Sequence, residues 1–373
     1  MDVWGRPAVI GIAFGLVVFA VTFFPIVAVQ YRRYGRFTVL RLLGAAAVSV
    51  YSTTLLAYTL VPLPDSTSKV CAPTLELVPF HSVGDILTDT AGDGLVATLT
   101  SAAMLQVVFN VLLFVPLGII VRGFFGRGLA TTVLAGFAAS VLIESTQYTA
   151  LWGVYSCAYR VADVDDVITN TLGALVGALL GPWLLRWMPR ERALAAARST
   201  PRPVTVWRRW LGMAIDLALF TVIGGVLTVP YALVVVALGG TALRSTDPVS
   251  AALGSIVPAL LVFVLPALRH TGASLGQSAV WLRPHWARPA SATRRLARAA
   301  SVGGLYGVLV FVSRLDVPGA SLVGGLGTLL LVAAFVAVPL SHGRGLSALV
   351  SGAVVRDEGD PATPEPVEAT APR

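Results

Sequence analysis

The sequence predicts an all-α, polytopic membrane protein with about nine transmembrane helices in two helical bundles. Hydrophobic residues make up 56% of the 373 residues and charged residues only 12%, with a mean hydropathy of +0.80. Soluble domains carry about 25% charged residues. The net charge of +8 comes from arginines in short loops between apolar runs. Arginines in that pattern set membrane topology, and no nucleic-acid partner is expected.

Nine apolar runs are candidate membrane spans, and each is near the ~20 residues that cross the hydrocarbon core. They cover residues 7–30, 38–61, 104–122, 128–149, 164–188, 210–238, 250–268, 297–313 and 321–340. The first run has no A-x-A cleavage site, so we interpret it as a retained helix rather than a removed signal peptide.

The basic loops predict the orientation of these spans in a cell membrane. Arginine-rich segments follow the first, third, fifth and seventh spans, at 31–41, 122–127, 186–209 and 269–298. With nine spans all four lie on one side, which the positive-inside rule makes cytoplasmic. Segment 62–103 instead carries five acids against Lys69. We therefore expect the N-terminus outside and the C-terminus in the cytoplasm.

Composition divides the chain into five parts. We predict an N-terminal helix with its basic loop (1–34), a first membrane domain (35–190), a basic cytoplasmic linker (191–206), a second membrane domain (207–356) and a disordered acidic tail (357–373). The tail is predicted to be disordered because it is acidic and rich in proline.

A polar stripe marks the fifth span. Polar residues and then glycines recur along it at steps of three and four, so they share one helix face. They are Asp163, Asp166, Asn170, Gly173, Gly177 and Gly181. Ionisable groups at membrane depth cost about 2.5–3.5 kcal/mol at a helix centre and tend to pair. With polar residues of the third and fourth spans, they predict one functional cluster near the outer surface: Asn110, Glu144, Gln147, Arg160, Asp163, Asp166 and Asn170.

A purely structural interpretation of this stripe is the alternative. Asp163 can cap the helix and Asp166 can sit in its first turn, where carboxylates are favoured. Capping does not explain Glu144 on another helix, or Asn170 two turns inside the span. Asp165 lies off the stripe and is expected to matter less.

Two further features concern possible cross-links and metals. The only two cysteines, Cys71 and Cys157, lie in the two predicted outer loops, so an oxidising exterior would let them form a disulfide. The alternative is two free thiols. No metal or cofactor is expected, because Arg160 beside the aspartates argues against a dedicated cation site.

The first membrane domain resembles the VanZ-like membrane proteins, named for a teicoplanin-resistance accessory protein. The resemblance rests on "NVLLFVPLG" (110–118), "IESTQ" (143–147) and "RVADVDDVITNTLGALVG" (160–177), and on "LVPF" at 77–80. It covers about residues 35–190. It implies a cell-envelope protein with a link to antibiotic resistance and the polar cluster as its site, but no particular reaction.

The second membrane domain resembles the RDD family, membrane domains named for one Arg and two Asp. "RRWLGMAIDLALF" (208–220), "TGASLGQSAVWLR" (271–283) and "RGLSALVSGAVV" (344–355) carry the resemblance. Arg209 and Asp216 match the first Arg and Asp, whereas Ala348 replaces the second Asp. We interpret Asp216 as a salt-bridged anchor for Arg209, and "SATRRLARAAS" (291–301) as an amphipathic segment at anionic lipid heads.

Three functions are compatible with these patterns. The first is a non-enzymatic envelope protein whose outer cluster binds or shields a lipid-linked cell-wall precursor or a glycopeptide, with membrane lipids as partners. The second is a proton- or cation-coupled transporter that uses Glu144, Asp166 or Asp216 as relays. The third is an intramembrane acid/base enzyme acting on a lipid-linked substrate through Glu144 and Asp163 or Asp166. The oligomeric state is left open.

The predicted orientation can be tested by cysteine labelling. In a chain with Cys71 and Cys157 replaced by serine, we expect Ser199→Cys to resist a membrane-impermeant thiol reagent in intact cells. Thr67→Cys, in the predicted outer loop, is the positive control. Efficient labelling of Ser199→Cys from outside would overturn the orientation.

Overall fold

The protein is built from long apolar helices. The computed structural model describes residues 5–61, 75–92, 94–155, 161–189, 191–196, 198, 200–240, 247–269 and 271–360. Within these residues nine helices are long and apolar enough to cross a membrane, which confirms the predicted fold class. They are α1 (Gly5–Tyr34), α2 (Val39–Leu60), α3 (Ala102–Phe124), α4 (Leu129–Tyr148), α5 (Val164–Leu184), α6 (Val206–Ala237), α7 (Pro248–Leu268), α8 (Ala292–Ser313) and α9 (Ala320–Leu340).

Short elements connect these helices. The described part of the chain has four strands that pair two by two. Strand β1 (Leu75–Glu76) runs parallel to β2 (Ala162–Asp163), and β3 (Leu282–His285) runs antiparallel to β4 (Val354–Asp357). The short helices are His81–Asp89, Leu95–Leu99, Ala150–Gly153, Glu191–Ala196, Leu275–Ala279 and Leu346–Ser351.

The chain forms two compact units. The first comprises the chain up to Phe23 together with Thr38–Leu194, and the second comprises Phe24–Phe37 together with the chain from Ala195 onward. The long helix α1 therefore contributes its first part to one unit and its last part to the other. The sequence patterns did not predict this division of α1.

Close contact between α3 and α5 organises the first unit. The predicted stripe of α5 is buried at Asn170, Gly173, Gly177 and Gly181. A Cβ added at Gly173 would overlap the carbonyl oxygen of Val111, and one at Gly177 would overlap that of Val115. Glycine is therefore needed on this face, because only a side chain of hydrogen lets the two backbones approach so closely.

A buried ion pair in the second unit joins the start of α6 to the end of strand β4. The Arg208 Nη1 atom lies 2.6 Å from Asp357 Oδ2, and both side chains are only 5% exposed. Arg208 also donates to the backbone carbonyl oxygens of Val280 and Trp281, at 2.9 and 2.8 Å. Asp357 ends strand β4, so the prediction that disorder begins at residue 357 is wrong. Residues 361–373 of the predicted tail lie outside the described residues.

The amphipathic segment predicted at 291–301 forms the first part of helix α8. Helix α8 begins at Ala292 and reaches Ser313 through a π-helical turn at Ala300–Gly304. Arg298 is buried inside the second unit, where it donates to the backbone oxygen of Gly272 and to Gln277 Oε1. The eighth span is therefore longer than the apolar run at 297–313, because its buried arginine interrupts the hydropathy signal but not the helix.

The glycine contact predicts a clear difference between two similar substitutions. We expect Gly177→Ala to lower the free energy of unfolding by about 1–3 kcal/mol, because the added methyl group meets backbone atoms of α3. Gly225→Ala in α6 is the matched control, since no described atom lies within 4 Å of its added Cβ. Thermal unfolding of the purified protein in detergent measures both. Equal melting temperatures would contradict the packing described here.

Candidate functional site

The first unit contains a cavity of about 610 Å³. Ligand-binding pockets measure roughly 300–1,000 Å³, so this cavity has room for a sizeable group. Helices α2, α3, α4 and α5 all contribute to its lining. Five of the seven residues of the predicted cluster line it: Asn110, Glu144, Gln147, Asp166 and Asn170. Most of the other lining residues are apolar or aromatic, and Thr59 and Gln106 are polar; the apolar and aromatic ones include Tyr58, Leu105, Phe109, Leu113, Phe114 and Ile143.

Amide side chains cross-link the helices around this cavity. Asn110 Nδ2 on α3 donates to Asp166 Oδ1 on α5 over 2.6 Å. Gln147 Nε2 on α4 donates to the backbone oxygen of Thr59 at 2.7 Å. Asn170 Nδ2 on α5 donates to Ser140 Oγ on α4 at 2.9 Å. These three bonds hold the amide side chains in place around the cavity, because each bond joins two different helices.

Asn170 also carries an unused acceptor. The residue is 5% exposed, and its Oδ1 atom has no hydrogen-bond partner in the described part of the chain. A buried carbonyl oxygen left without a donor costs about 1–3 kcal/mol. A donor on a molecule bound in the cavity would satisfy this atom.

Asp163 has a structural role at the edge of the site. It is the N-cap of α5, with extended backbone, and its Oδ1 accepts the Asp165 N–H at 2.8 Å. Its own N–H donates to Glu144 Oε2 over 3.3 Å. Burial raises the pKa of the Asp163 carboxyl above its ordinary value. The capping role that the sequence offered as an alternative therefore applies to Asp163, while Glu144 joins the cap to the cavity.

Asp165 has a role that sequence reasoning missed. It is not part of the cavity lining, in keeping with its predicted position off the stripe. Its carboxylate is 4% exposed and accepts two backbone N–H bonds, from Phe80 at 2.6 Å and from Ser82 at 2.8 Å. It thereby clamps the segment that begins with β1, whose Glu76 pairs in register with Asp163. The sequence signal for this role was the "LVPF" motif at 77–80. It fits neither a helical nor a strand periodicity, so its position depends on contacts with other segments.

Three predicted residues lie outside the described residues. They are Arg160 of the polar cluster and the two cysteines of the candidate disulfide, Cys71 and Cys157. The disulfide stays a prediction. Among the residues that the structure describes, no three His, Cys, Asp or Glu side chains are grouped to share a metal ion.

The RDD-like residues of the second unit do not pair as predicted. Asp216 accepts from Ser274 Oγ and from the Gly276 N–H, both at 2.6 Å. Arg209 Nη2 donates instead to the backbone oxygen of Arg344 at 2.9 Å. The predicted direct contact between Arg209 and Asp216 is therefore not formed among the described residues, because Ser274 and Gly276 bind the carboxylate, although the two opposite charges still attract each other. Ala348, where the second Asp was expected, is fully buried.

Comparison with known proteins supports one part of this assignment. Residues 48–186 match the family model described as VanZ/LLP1. This segment is VanZ-like and contains most of the cavity lining, and with the nine apolar helices it supports a membrane location. No curated protein and no solved structure matches the chain. The comparisons give no evidence for an RDD domain, so that resemblance stays a prediction.

The clamp formed by Asp165 gives a testable expectation. In Asp165→Asn the amide nitrogen cannot accept, so one of the two N–H groups at Phe80 and Ser82 loses its partner. We expect amide hydrogen exchange of residues 78–84 to become about tenfold faster or more. Asp85→Asn is the control, because the Asp85 side chain is half exposed and pairs with His81 of the same short helix. Unchanged exchange in Asp165→Asn would show that the clamp does not hold this segment.

Proposed function

We propose that the VanZ-like unit is a membrane protein of the cell envelope that binds or shields a lipid-linked envelope component, holding its polar group in the cavity of about 610 Å³. The observation that carries this proposal is that one cavity is lined both by carboxylate and amide side chains and by aromatic and aliphatic ones. A molecule that fits both is amphipathic.

Hydrogen-bonding chemistry specifies the polar group of this ligand. The described lining holds two carboxylates, Glu144 and Asp166, and no basic side chain. The amide donors of Asn110 and Gln147 already bond protein oxygens, whereas Asn170 Oδ1 is unused. The favoured group therefore presents donors, such as sugar hydroxyls, amide N–H groups or an ammonium group.

The aromatic and aliphatic lining residues can pack against a hydrocarbon chain or the apolar face of a sugar. Tyr58 and Phe109 pack edge to face, with ring centroids 5.4 Å apart. Such rings offer large apolar contact area with defined geometry. A lipid-linked wall precursor has both required parts, a donor-rich saccharide and peptide joined to a long hydrocarbon chain. The orientation predicted from the arginines would put this cavity near the outer surface, where such precursors are used.

Acid/base catalysis on the same type of molecule is the second candidate. It is favoured by one observation: Glu144 and Asp166 line the same cavity, so both can reach one bound group. An acid/base pair needs two carboxyl groups whose environments differ. Here Asp166 accepts from an Asn110 amide and Glu144 accepts from a backbone N–H, so the environments do differ.

Binding to the purified protein in lipid nanodiscs tests the proposal. We expect a polyprenyl-linked disaccharide pentapeptide to bind, and Asn170→Leu and Asp166→Asn each to weaken binding about tenfold or more through lost acceptors. Thr171→Val is the matched control, because Thr171 is on α5, is absent from the lining and bonds only its own helix.

The remaining arms separate the alternatives. Polyprenyl phosphate without the saccharide should bind much more weakly, and a glycopeptide antibiotic tests the other predicted ligand. Equal binding by Asn170→Leu, Asp166→Asn and Thr171→Val would refute recognition through the cavity. Conversion of the precursor by the wild-type protein, abolished in Glu144→Gln, would favour the enzyme.

A further inference from the structure

A second, smaller cavity lies inside the second unit and is unrelated to the VanZ-like site. Its volume is about 90 Å³, and it is lined by residues of α6, α7, α8 and α9 and of the Ser274–Gln277 and Gly345–Ser347 turns. Two arginines, Arg209 and Arg298, contribute to the lining together with Asp216. The arginines are only 3% and 4% exposed. Buried arginines are rare unless a partner neutralises them.

The partners of these charged groups are incomplete. The Asp216 carboxylate is used by Ser274 Oγ and the Gly276 N–H. Arg298 uses Nη1 and Nη2 on Gly272 and Gln277, and Arg209 uses Nη2 on Arg344. Arg209 Nε, Arg209 Nη1 and Arg298 Nε have no hydrogen-bond partner among the residues that the structure describes. Among the described residues neither arginine lies within 4 Å of a carboxylate.

The charge balance and the number of unused N–H donors therefore favour the same kind of ligand. Two guanidinium groups face one carboxylate, which leaves one excess positive charge in a buried space. Uncompensated buried charge is strongly unfavourable, and so are buried donors without acceptors. A cation would add to the excess charge, whereas a singly charged anion would cancel it and accept from the unused N–H groups.

We propose that this cavity binds a singly charged oxyanion of the phosphate type, either the phosphodiester of an anionic lipid or free phosphate. Planar guanidinium groups match the geometry of oxyanions and bind them through paired N–H donors. A water needs about 10–15 Å³ of such space, so the cavity has room for several waters or one oxyanion group. Phe263, Leu331 and Phe335 complete the lining with apolar surface, which favours an oxyanion joined to a hydrocarbon chain.

Lipid and ion titrations of the full chain in detergent test this site. We expect phosphatidylglycerol to bind, as counted by native mass spectrometry, and Arg298→Gln to weaken that binding about tenfold or more. Arg294→Gln is the matched control, because it removes the same charge from the same helix at an exposed position. Asp216→Asn should bind phosphatidylglycerol more tightly, since it raises the excess charge and Ser274 can turn its hydroxyl to accept.

Competition between inorganic phosphate and phosphatidylglycerol shows which of the two sources supplies the oxyanion. Inorganic phosphate that binds, competes with phosphatidylglycerol and responds to the same variants identifies free phosphate as a ligand. Phosphatidylglycerol binding without such competition identifies the lipid. Equal binding by Arg298→Gln and Arg294→Gln would overturn the proposal. Where Arg298→Gln does not fold, Asp216→Asn decides, and unchanged or weaker binding in that variant overturns the proposal.

Discussion

The close approach of α3 and α5 is the contact on which the first unit depends. Gly173 and Gly177 bring the two backbones together, and the same face continues toward the N-terminal end of α5 through Asn170 to Asp166. Because glycine fixes the spacing of these helices, Asn110 can reach Asp166 over 2.6 Å. The polar half of the stripe is therefore positioned by the apolar half, and a wider spacing would separate the amide from the carboxylate.

Carboxylates in this unit have two separate tasks, even where they are adjacent in the sequence, as Asp165 and Asp166 are. Asp163 and Asp165 bind backbone N–H groups, of the first turn of α5 and of the segment around Phe80, and they order the chain at the edge of the site. Asp166 and Glu144 line the cavity. The helical twist explains the difference between Asp165 and Asp166. Side chains of consecutive helical residues point about 100° apart, so these two carboxylates reach different partners.

Patterns confined to one helix were predictable, and contacts between distant segments were not. Hydropathy located all nine spans, and steps of three and four identified five residues that share one cavity. Asp165 was undervalued because its partners are backbone groups more than 80 residues upstream, which helical periodicity does not report. The pairing of Arg209 with Asp216 was inferred from spacing on one helix. It failed because Ser274 and Gly276, from a distant turn, occupy the carboxylate.

The two units solve the problem of buried polar groups in opposite ways. In the first unit the described lining of the cavity holds two carboxylates, and Asn170 Oδ1 accepts a hydrogen bond from no described residue. In the second unit donors are in excess, because Arg209 and Arg298 share a space with the single carboxylate of Asp216. Desolvation makes either imbalance costly in an apolar surround. A fold that keeps both is better explained by bound partners of matching chemistry than by stability, since apolar residues of similar size would pack there without the penalty.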